Sequence, residues 1–397
     1  MDQVYRLLAI NPGSTSTKIA VFENEEKVFQ DNIEHSPGDL AAFKKLPEQM
    51  PFRHGVIENA IKKAGYGVED FDAFVGRGGS LKPCEGGTYE VGGALLEDAR
   101  DCIITPHPAA LGSVLAYGFA QAKGVRAFTV DPPDVDEFEP IARISGIKSI
   151  PRESRSHALN QKEAARRAAK DLGKTYGEAS LIVAHIGGGV SVGAHKAGRL
   201  IDATNLAYGE GPMAPTRCGT IPVLRVVGMM EQGFSPDEIK DYVLKTGGVL
   251  DHLGTADMRE VDRMVQGGDE YARLVREALV YHISKSIGAL SAVLCGKADA
   301  IVLTGGVVNS RYISDGIKGR VGFIAPVLVY PGEFEMEALA NGALRVLRGE
   351  EAVKIYGEET VKICGEEAVK IFGEETVKIC GEEAVKICGE EAVKIGR

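Results

Sequence analysis

The N-terminal region contains a turn that concentrates hydrogen-bonding side chains between two apolar segments. In LLAINPGSTSTKIAVFEN, residues 7–24, the turn carries Asn11, Ser14, Ser16 and Lys18. A glycine-containing turn between strands exposes backbone N–H groups that form a concavity for phosphate. The hydroxyls add donors, and the lysine adds a compact positive charge. These residues predict a phosphate site in which Asn11 orients a phosphate oxygen or a metal-bound water; an ordinary polar hairpin is the alternative.

Two more glycine-rich turns follow predicted strands. AHIGGGVSV places Gly187, Gly188 and Gly189 at the end of one strand, and VLTGGVVNS places Gly305 and Gly306 at the end of another. One such turn is a weak signal, but three of them in a duplicated α/β chain indicate a nucleoside triphosphate bound in a cleft. None of the turns has the GxGxxG pattern, and the chain has no GxxxxGK[ST] motif, which excludes the Rossmann and P-loop modes of binding.

The elements that must position these turns alternate between strand and helix, which predicts an α/β fold. Each half begins with a strand–turn–strand unit, over residues 7–22 and 181–195. A duplicated two-domain architecture with a cleft between the domains is therefore expected. The predicted strands are Tyr5–Ile10, Lys18–Phe22, Phe71–Val75, Ala127–Val130, Leu181–His185, Val190–His195, Ala300–Leu303 and Phe323–Val329.

The boundary between the two halves is predicted at SGIKSIP, residues 145–151. Helical patterns cover residues 157–172 and 270–294, and a further helix at 337–347 is expected to return to the first half. The predicted domains are residues 1–150 plus 335–348, residues 151–334, and a tail at residues 349–397.

The tail consists of an octapeptide that recurs six times, beginning with GEEAVKIY at Gly349. It holds 12 Glu, six Lys and one Arg, a net charge of −5, which is half of the −10 of the whole chain. A period of eight gives no continuous apolar seam on a helix of about 3.6 residues per turn. We interpret the tail as an irregularly helical or partly disordered repeat expansion appended to a complete enzyme; a partner-binding arm is the alternative.

Charge and hydropathy exclude several classes of protein. The net charge of −10 and the absence of a long basic run argue against a general nucleic-acid binder. The chain contains no stretch of about 18 apolar residues, so the sequence predicts no membrane-spanning helix. The N-terminus lacks the charged and apolar regions of a signal peptide. These features lead us to expect a cytoplasmic protein.

The turn sequences resemble a known family. LLAINPGSTSTK resembles the first signature of the acetokinases, and LIVAHIGGGVSVGAHKAGRLIDATN resembles the second. NPGSTSTK, AHIGGG and GEGPMAPTRCGTIP are most similar to butyrate kinase and branched-chain fatty acid kinase. The resemblance extends over about residues 5–348. It implies the actin/Hsp70/sugar-kinase fold with a ribonuclease-H-like core in each half, and reversible phosphoryl transfer from ATP, with Mg²⁺, to a short-chain carboxylate. It also implies a homodimer or a larger homo-oligomer.

The resemblance assigns catalytic roles to five residues. Arg77 in VGRGG and Arg217 in PTRCG match the family's active-site arginines, whose planar forks suit carboxylate and phosphate oxygens. Asp131 in TVDPP matches an aspartate near the metal and the reacting groups. His107 in TPHPAALG lies where the family has a histidine beside the acyl site, and His157 in SRSHALN matches the second histidine of the family's GFHGTSH stretch. Surface arginines, a capping aspartate and structural histidines are the alternatives.

The family also implies residues for the nucleotide and the metal. The nucleotide set consists of the three turns with His185, together with Asp257 and Arg259 in LGTADMRE, which match an adenine-flanking pair. Glu335 matches a metal-associated glutamate, and Asn11 is the other residue assigned to the metal. Because PGEFEME is a loose match, Glu333 and Glu337 are the alternatives to Glu335.

Three departures from the acetate kinase pattern bear on mechanism and specificity. Glu153 stands where that pattern has its transition-state histidine, and Gly188 stands where it has an asparagine. Positive charge would then come mainly from Arg77, Arg217, Lys18 and Mg²⁺. Gly78-Gly79 replace apolar residues that help to line a methyl pocket, which predicts room for a longer acyl chain.

Other functions remain open at this point. Acetate or propionate kinase of the same family is one alternative, and an Hsp70- or actin-like ATPase module is another. A sugar kinase would need a base for its alcohol acceptor, whereas a carboxylate is already a nucleophile at neutral pH. Arginines without a dedicated base therefore favour an acid as the acceptor.

Overall fold

The computed structural model describes residues 3–102 and 107–357. The repeat units from residue 358 onward, and with them the predicted tail conformation, lie outside the described residues. Within the described ranges the strands are β1 Arg6–Pro12, β2 Ser16–Glu23, β3 Glu26–Glu34, β4 Ala73–Gly76, β5 Thr88–Glu90, β6 Arg126–Val130, β7 Ser180–Ile186, β8 Val190–Lys196, β9 Arg199–Ala203, β10 Ala300–Gly305 and β11 Val327–Pro331.

The helices cover the faces of the two sheets. They are α1 Pro37–Ala41, α2 Met50–Lys63, α3 Gly93–Asp101, α4 Leu111–Lys123, α5 Ala158–Asp171, α6 Val223–Glu231, α7 Pro236–Asp241, α8 Val249–Leu253, α9 Met258–Gln266, α10 Glu270–Val293, α11 Arg311–Val321 and α12 Glu335–Leu347.

The first sheet has the order β3-β2-β1-β4-β6-β5. Strands β1, β2 and β3 form an antiparallel meander, while β4 and β6 continue the sheet in parallel to β1. Leu8 and Ile10 face one apolar cluster, and Leu7 and Ala9 face another. The strand is therefore buried on both faces, which is why it is apolar throughout.

The second sheet repeats this plan with the order β11-β10-β7-β8-β9. Strands β7, β8 and β9 form the antiparallel meander, and β10 and β11 add in parallel to β7. The strand–turn–strand units that the sequence predicts in each half thus become equivalent central hairpins. The duplicated α/β fold is confirmed.

Two helices lie where the two sheets approach each other. Helix α12 packs Leu339 and Ala343 against Leu7 and Phe128 of the first sheet, as the sequence predicts for a returning helix. Helix α5 packs its alanine-rich face on the second sheet and also contacts α12. Residues at the start of α5 and of α12 are therefore placed beside both sheets.

One predicted strand needs correction, and three strands, β3, β5 and β9, were not predicted. The strand predicted at Phe323–Val329 begins at Val327, because Phe323 lies in an exposed turn that ends α11. Strand β3 was not predicted, because it is an edge strand whose residues are mostly exposed and therefore show no apolar pattern. Strand β5, with three residues, is too short to give a periodic signal.

Within residues 3–102 and 107–357, no helix combines the length and the apolar character needed to cross a membrane.

Candidate active site

The turn between β1 and β2 has the geometry expected of a phosphate site. The Gly13 N–H donates to the Ser16 carbonyl oxygen at 2.8 Å, which closes the turn. Ser14 is exposed at its tip, and Lys18 lies directly across the hairpin from the buried Asn11. The hydroxyl, ammonium and amide groups that the sequence singles out are therefore at one end of the sheet.

A buried arginine that the sequence analysis missed donates hydrogen bonds to the backbone of this turn. Arg53 of α2 is fully buried; its Nη2 donates to the Gly13 carbonyl oxygen at 2.9 Å, and its Nη1 donates to the Ser16 carbonyl oxygen at 3.0 Å. Its other acceptors, Thr17 Oγ1 at 2.8 Å and Gln49 Oε1 at 3.0 Å, are also neutral. Burial lowers the pKa of Arg53. The structure thus places a guanidinium beneath the turn with neutral groups as its acceptors, which favours an anion above it.

The end of β1, the end of β4 and the start of α12 converge on one polar contact. Arg77 Nη1 lies 2.8 Å from Glu335 Oε1, and Asn11 Nδ2 donates to Glu335 Oε2 at 2.6 Å. Arg77 Nη1 also lies 3.5 Å from Asn11 Oδ1. Three residues that the sequence predicts for acyl, nucleotide and metal binding are therefore in mutual contact.

The alternatives to Glu335 occupy different surroundings. Burial and the neighbouring Glu335 raise the pKa of Glu333, while Lys18 and Arg77 oppose this rise. Glu337 instead pairs with Lys27 at 3.0 Å on the outside of the first sheet. Glu333 and Glu335 thus both belong to the polar cluster, and Glu337 lies outside it.

The turn between β7 and β8 lies next to Arg217. A Cβ atom added to Gly189 would stand 2.9 Å from Arg217 Nη1, so a side chain at this position would displace the guanidinium. The backbone and side chain of Thr216 both donate to the Gly188 carbonyl oxygen, which fixes the loop on the turn. Arg217 Nη1 donates to the Leu206 carbonyl oxygen at 3.3 Å, and its Nε is buried without a hydrogen-bond partner.

His157 and His185 stack with a centroid distance of 3.9 Å and an interplanar angle of 26°. His157 Nδ1 lies 2.8 Å from Ser191 Oγ, and His185 Nδ1 lies 3.0 Å from Asn160 Oδ1. Burial, with a further contribution from Arg77, lowers the pKa of His185 to about 4. Burial also holds the pKa of His157 well below its ordinary value, helped by His185 and the two arginines. Both rings are therefore neutral hydrogen-bonding groups near pH 7.

Asp131 directly follows β6 and has an unusual backbone conformation, with φ of +38°. It is fully buried; Arg166 Nη1 lies 2.9 Å from its Oδ2, and the Gly87 N–H donates to its Oδ1 at 2.8 Å. Burial opposes ionisation, but the positive charges of Arg166 and Lys162 hold the pKa of Asp131 below its usual value. Asp131, Arg77, His157 and Glu335 line one small cavity.

A buried hydrogen-bond chain leads from His157 between α5 and β8 of the second half. Ser191 Oγ accepts from Gln161 Nε2 at 2.7 Å, and Gln161 Oε1 lies 3.0 Å from His195 Nε2. His195 Nδ1 in turn lies 2.8 Å from the hydroxyl of Tyr176. His195, to which the sequence assigned no role, thus belongs to the structure behind the site. Burial lowers its pKa to about 3.

His107 precedes a short turn that begins α4, where its Nδ1 accepts from the Ala109 N–H at 3.2 Å. Loss of surrounding water and the charge of Arg77 lower the pKa of His107, while Glu335 opposes this shift. His107 therefore responds electrostatically to the same arginine and carboxylate that line the cavity.

Only some of the nucleotide residues predicted in the second half lie near the polar cluster. The Gly305 N–H donates to the Gly332 carbonyl oxygen at 3.0 Å, and Gly306 follows it at the end of β10, beside the loop that carries Glu333. Asp257 and Arg259 pair with each other at 2.8 Å on the surface at the start of α9, and the Arg259 side chain is 88% exposed. A cavity of about 560 Å³ lies between α10 and α11, but none of these four residues lines it.

No group of three or more acidic, histidine or cysteine side chains is arranged to hold a metal ion among residues 3–102 and 107–357. A magnesium ion in a nucleotide site needs only one or two carboxylates, since phosphates and waters supply the remaining ligands. Glu335 lies close enough to Glu333 to raise the pKa of Glu333. With the amide of Asn11, the two carboxylates form a donor set that fits such an ion.

Comparison with solved structures defines the class of fold. The chain is similar to acetate kinase from Porphyromonas gingivalis, with a TM-score of 0.72 and 21% identity over 86% of this chain and 100% of that one. It is also similar to a propionate kinase from Francisella tularensis subsp. tularensis SCHU S4, with a TM-score of 0.64 and 21% identity over 85% of this chain and 98% of that one. Acetate kinase from Entamoeba histolytica gives a TM-score of 0.67 at 17% identity, over 86% of this chain and 99% of that one. The architecture is that of the actin/Hsp70/sugar-kinase fold.

The sequence comparison is more specific about one part of the chain. Residues 151–323 match the acetokinase family. This segment includes His157, the glycine turn after β7 and the loop that carries Arg217. The family resemblance seen in the second signature is thereby confirmed for the second half of the molecule.

Proposed function

We propose that this protein is a carboxylate kinase that transfers a phosphoryl group reversibly between ATP and a short-chain carboxylate. The observation that carries the proposal is the placement of two arginines: Arg77 follows β4 beside Asn11 of β1, and Arg217 lies against the turn between β7 and β8. Both arginines are close enough to His157 to lower its pKa. Two guanidinium groups at one site suit a reaction in which two anions must be brought together.

The roles follow from what each group can donate. Arg77 binds the carboxylate of the acid and the transferring phosphoryl group, and the free Nε–H of Arg217 binds a phosphoryl oxygen. His107, His157 and His185, with their lowered pKa values, donate hydrogen bonds as neutral rings. Asp131 holds its ion pair with Arg166 and shapes the wall of the cavity. No general base is required, because the acceptor is already ionised.

The turns hold the nucleotide in this proposal. Backbone N–H groups and hydroxyls of the β1–β2 turn bind phosphate oxygens above the Arg53 guanidinium, and the Gly187–Gly189 turn does the same from the other half. Asp257, Arg259, Gly305 and Gly306 are proposed for the adenosine. Asn11 and Glu335, with Glu333, would hold Mg²⁺, which supplies charge neutralisation on the phosphates when bound.

We further propose butyrate or a branched-chain acid as the preferred acceptor. Gly78 and Gly79 follow Arg77 without side chains, and Pro133, which lines the cavity with Arg77, stands 3.6 Å from the position of a Gly79 Cβ atom. The alternative is a smaller acid, as in the acetate and propionate kinases that share the fold. An Hsp70- or actin-like ATPase is a less favoured alternative.

The proposed organisation follows the two sheets. The N-terminal acetokinase domain comprises residues 1–150 plus 335–348, and the C-terminal domain comprises residues 151–334. A homodimer or higher homo-oligomer in the cytoplasm is proposed, without nucleic acid or a membrane as partner.

A hydroxamate assay for acyl phosphate, run with ATP, Mg²⁺ and a panel of acids, tests the proposal. Formation of the hydroxamate from butyrate, isobutyrate or valerate in preference to acetate supports it. A preference for acetate or propionate would move the protein to the alternative specificity. ATP hydrolysis without acyl phosphate from any acid would overturn the carboxylate kinase assignment.

A further inference from the structure

The first octapeptide of the tail lies along the edge of the first sheet. The Lys354 N–H donates to the Thr88 carbonyl oxygen at 2.9 Å, and the Glu90 N–H donates to the Lys354 carbonyl oxygen at 3.1 Å. These two bonds form a parallel bridge between Lys354 and Tyr89 of β5. Because β5 is the edge strand, residues 349–356 cover backbone groups that would otherwise be open.

The far end of this octapeptide is held by its tyrosine. The hydroxyl of Tyr356 donates to Asp98 Oδ2 at 2.7 Å and accepts from the Lys82 N–H at 2.8 Å, while the ring packs on the apolar cluster below the sheet. The corresponding positions of the next four units are Cys364, Phe372, Cys380 and Cys388. The first unit therefore carries an anchor that these copies lack.

The near end reaches the charged groups around Asp131. Glu351 Oε1 accepts from the Thr88 N–H at 2.9 Å, and Glu351 Oε2 lies 2.7 Å from Arg345 Nε. Burial alone would raise the pKa of Glu351, but Arg345 and then Arg166 outweigh it and lower the pKa. Glu351 is thus a half-buried, ionised carboxylate held by the sheet and by α12.

Asp131 and Glu351 hold two successive peptide groups of one strand. The Gly87 N–H donates to Asp131, and the next N–H along the chain, that of Thr88, donates to Glu351. Arg166 pairs with Asp131, and Arg345 pairs with Glu351. Two carboxylates and two guanidinium groups therefore form one charge-balanced cluster.

The charged cluster can hold Asp131 in a strained backbone conformation. A non-glycine residue with φ of +38° is strained and persists only where its surroundings fix it. The surroundings here are Arg166 and Gly87, and Gly87 is itself covered by the octapeptide, since a Cβ atom on it would stand 3.0 Å from Lys354 Cε. Loosening residues 349–356 would free the strand that holds one oxygen of Asp131.

We propose that residues 349–356 form a strap that completes the candidate active site, with Glu351 acting as a positioning residue for Asp131. The catalytic part of this inference rests on the proposed kinase function. It replaces the expectation that everything after Arg348 is an appendage, and it moves the functional end of the N-terminal domain from Arg348 to Tyr356.

The test compares single carboxylate-to-amide changes in the full chain. Glu351→Gln keeps an acceptor for the Thr88 N–H but removes the charge that pairs with Arg345. Glu350→Gln changes the exposed neighbour, and Glu359→Gln makes the same change at the matching position of the second repeat. The readouts are turnover, KM for the acid and for ATP, melting temperature, and hydrogen exchange of the Gly87 and Thr88 amides.

We expect Glu351→Gln to lower kcat by about tenfold, as supporting residues around a reactive group commonly do, with little change in KM. The Gly87 and Thr88 amides should exchange faster in this variant, and both controls should match the parent. Adding Glu351→Gln to Asp131→Asn should cost less than the product of the two single effects, because both act through one group. The positioning role would be overturned if the kcat losses of Glu351→Gln and Asp131→Asn multiply in the double variant. It would also be overturned if Glu351→Gln alone leaves turnover unchanged.

The strap can also be tested if the parent is inactive as a kinase or if Glu351→Gln does not fold. If the parent forms no acyl phosphate from any acid, the kinase proposal fails. The strap is then judged by hydrogen exchange of the Gly87 and Thr88 amides alone. Equal exchange rates in Glu351→Gln and Glu350→Gln would overturn it. If Glu351→Gln does not fold, Tyr356→Phe loosens the opposite end without touching the charges. Faster exchange at Gly87 in Tyr356→Phe supports the strap, and parent-like exchange overturns it.

Discussion

Arg77 Nη1 lies 2.8 Å from Glu335 Oε1, and the other oxygen of this carboxylate accepts from Asn11 at 2.6 Å. In this arrangement the Glu335 carboxylate interacts with the same guanidinium nitrogen of Arg77 that the carboxylate of an acid substrate would use. Binding of a cation by Glu335 would weaken its attraction for Arg77 and leave the arginine for the substrate. The contact thus couples the proposed metal site to the proposed acyl site.

Arg77→Lys tests whether the planar fork of this arginine is used in the reaction. Lysine keeps the positive charge and can still pair with Glu335, but it cannot bind two oxygens in parallel. We expect turnover to fall by at least about tenfold, since losing one donor to the transferring group typically costs 10²–10³. The melting temperature should barely change. Near-parent turnover in a folded Arg77→Lys variant would remove Arg77 from the proposed chemistry.

Arg53→Met removes the guanidinium that supports the β1–β2 turn but keeps much of the apolar volume of the side chain. The carbonyl groups of Gly13 and Ser16 lose a charged donor, so the turn should loosen and the positive potential beneath it should disappear. We expect KM for ATP to rise more than KM for the acid, together with a lower melting temperature. Lys63→Met, at an exposed position of the same helix, is the matched control. Equal changes in both KM values would show that Arg53 serves the fold and not the nucleotide turn.

The sequence predicted the parts of the site that are encoded locally. The three glycine turns and the strands that lead into them are short, contiguous patterns, and the structure places them at strand ends as expected. What the sequence analysis missed depends on residues far apart in the chain. Arg166 pairs with Asp131 across 35 positions, and Arg53 bonds to the Gly13 carbonyl across 40. In a helical sequence such arginines look like solvated surface residues, so only the packing of the two sheets reveals their roles.

The buried histidines predict a loss of stability in mild acid. The pKa is about 4 for His185 and about 3 for His195, whereas an unfolded chain binds a proton near the ordinary pKa of about 6.5. Between these values the unfolded state holds more protons, so the free energy of unfolding decreases as the pH falls. We expect lower urea midpoints at pH 5 than at pH 7.5.

A substitution identifies the source of this dependence. His195→Gln should reduce the difference between the two midpoints, whereas His252→Gln, at an exposed histidine bonded to Tyr271, should not. Urea titrations followed by circular dichroism measure both effects. A pH dependence of the same size in His195→Gln would show that other groups determine it.

The glycines after Arg77 predict the size of the acid that the enzyme accepts. A Cβ atom on Gly79 would meet Ala110 N at 3.5 Å and Pro133 Cγ at 3.6 Å, which are ordinary contacts, so Gly79→Ala should fold. A Cβ atom on Gly78 would stand 2.6 Å from Thr129 Oγ1, so Gly78→Ala should lower stability and affect all acids alike. Gly79→Ala should instead reduce kcat/KM for butyrate relative to acetate, because one methylene in an apolar pocket is worth about 10–200-fold. Gly79→Val should extend the effect. Competition assays with mixed acids measure this ratio directly, and an unchanged ratio in both Gly79 variants would show that the acyl chain lies elsewhere.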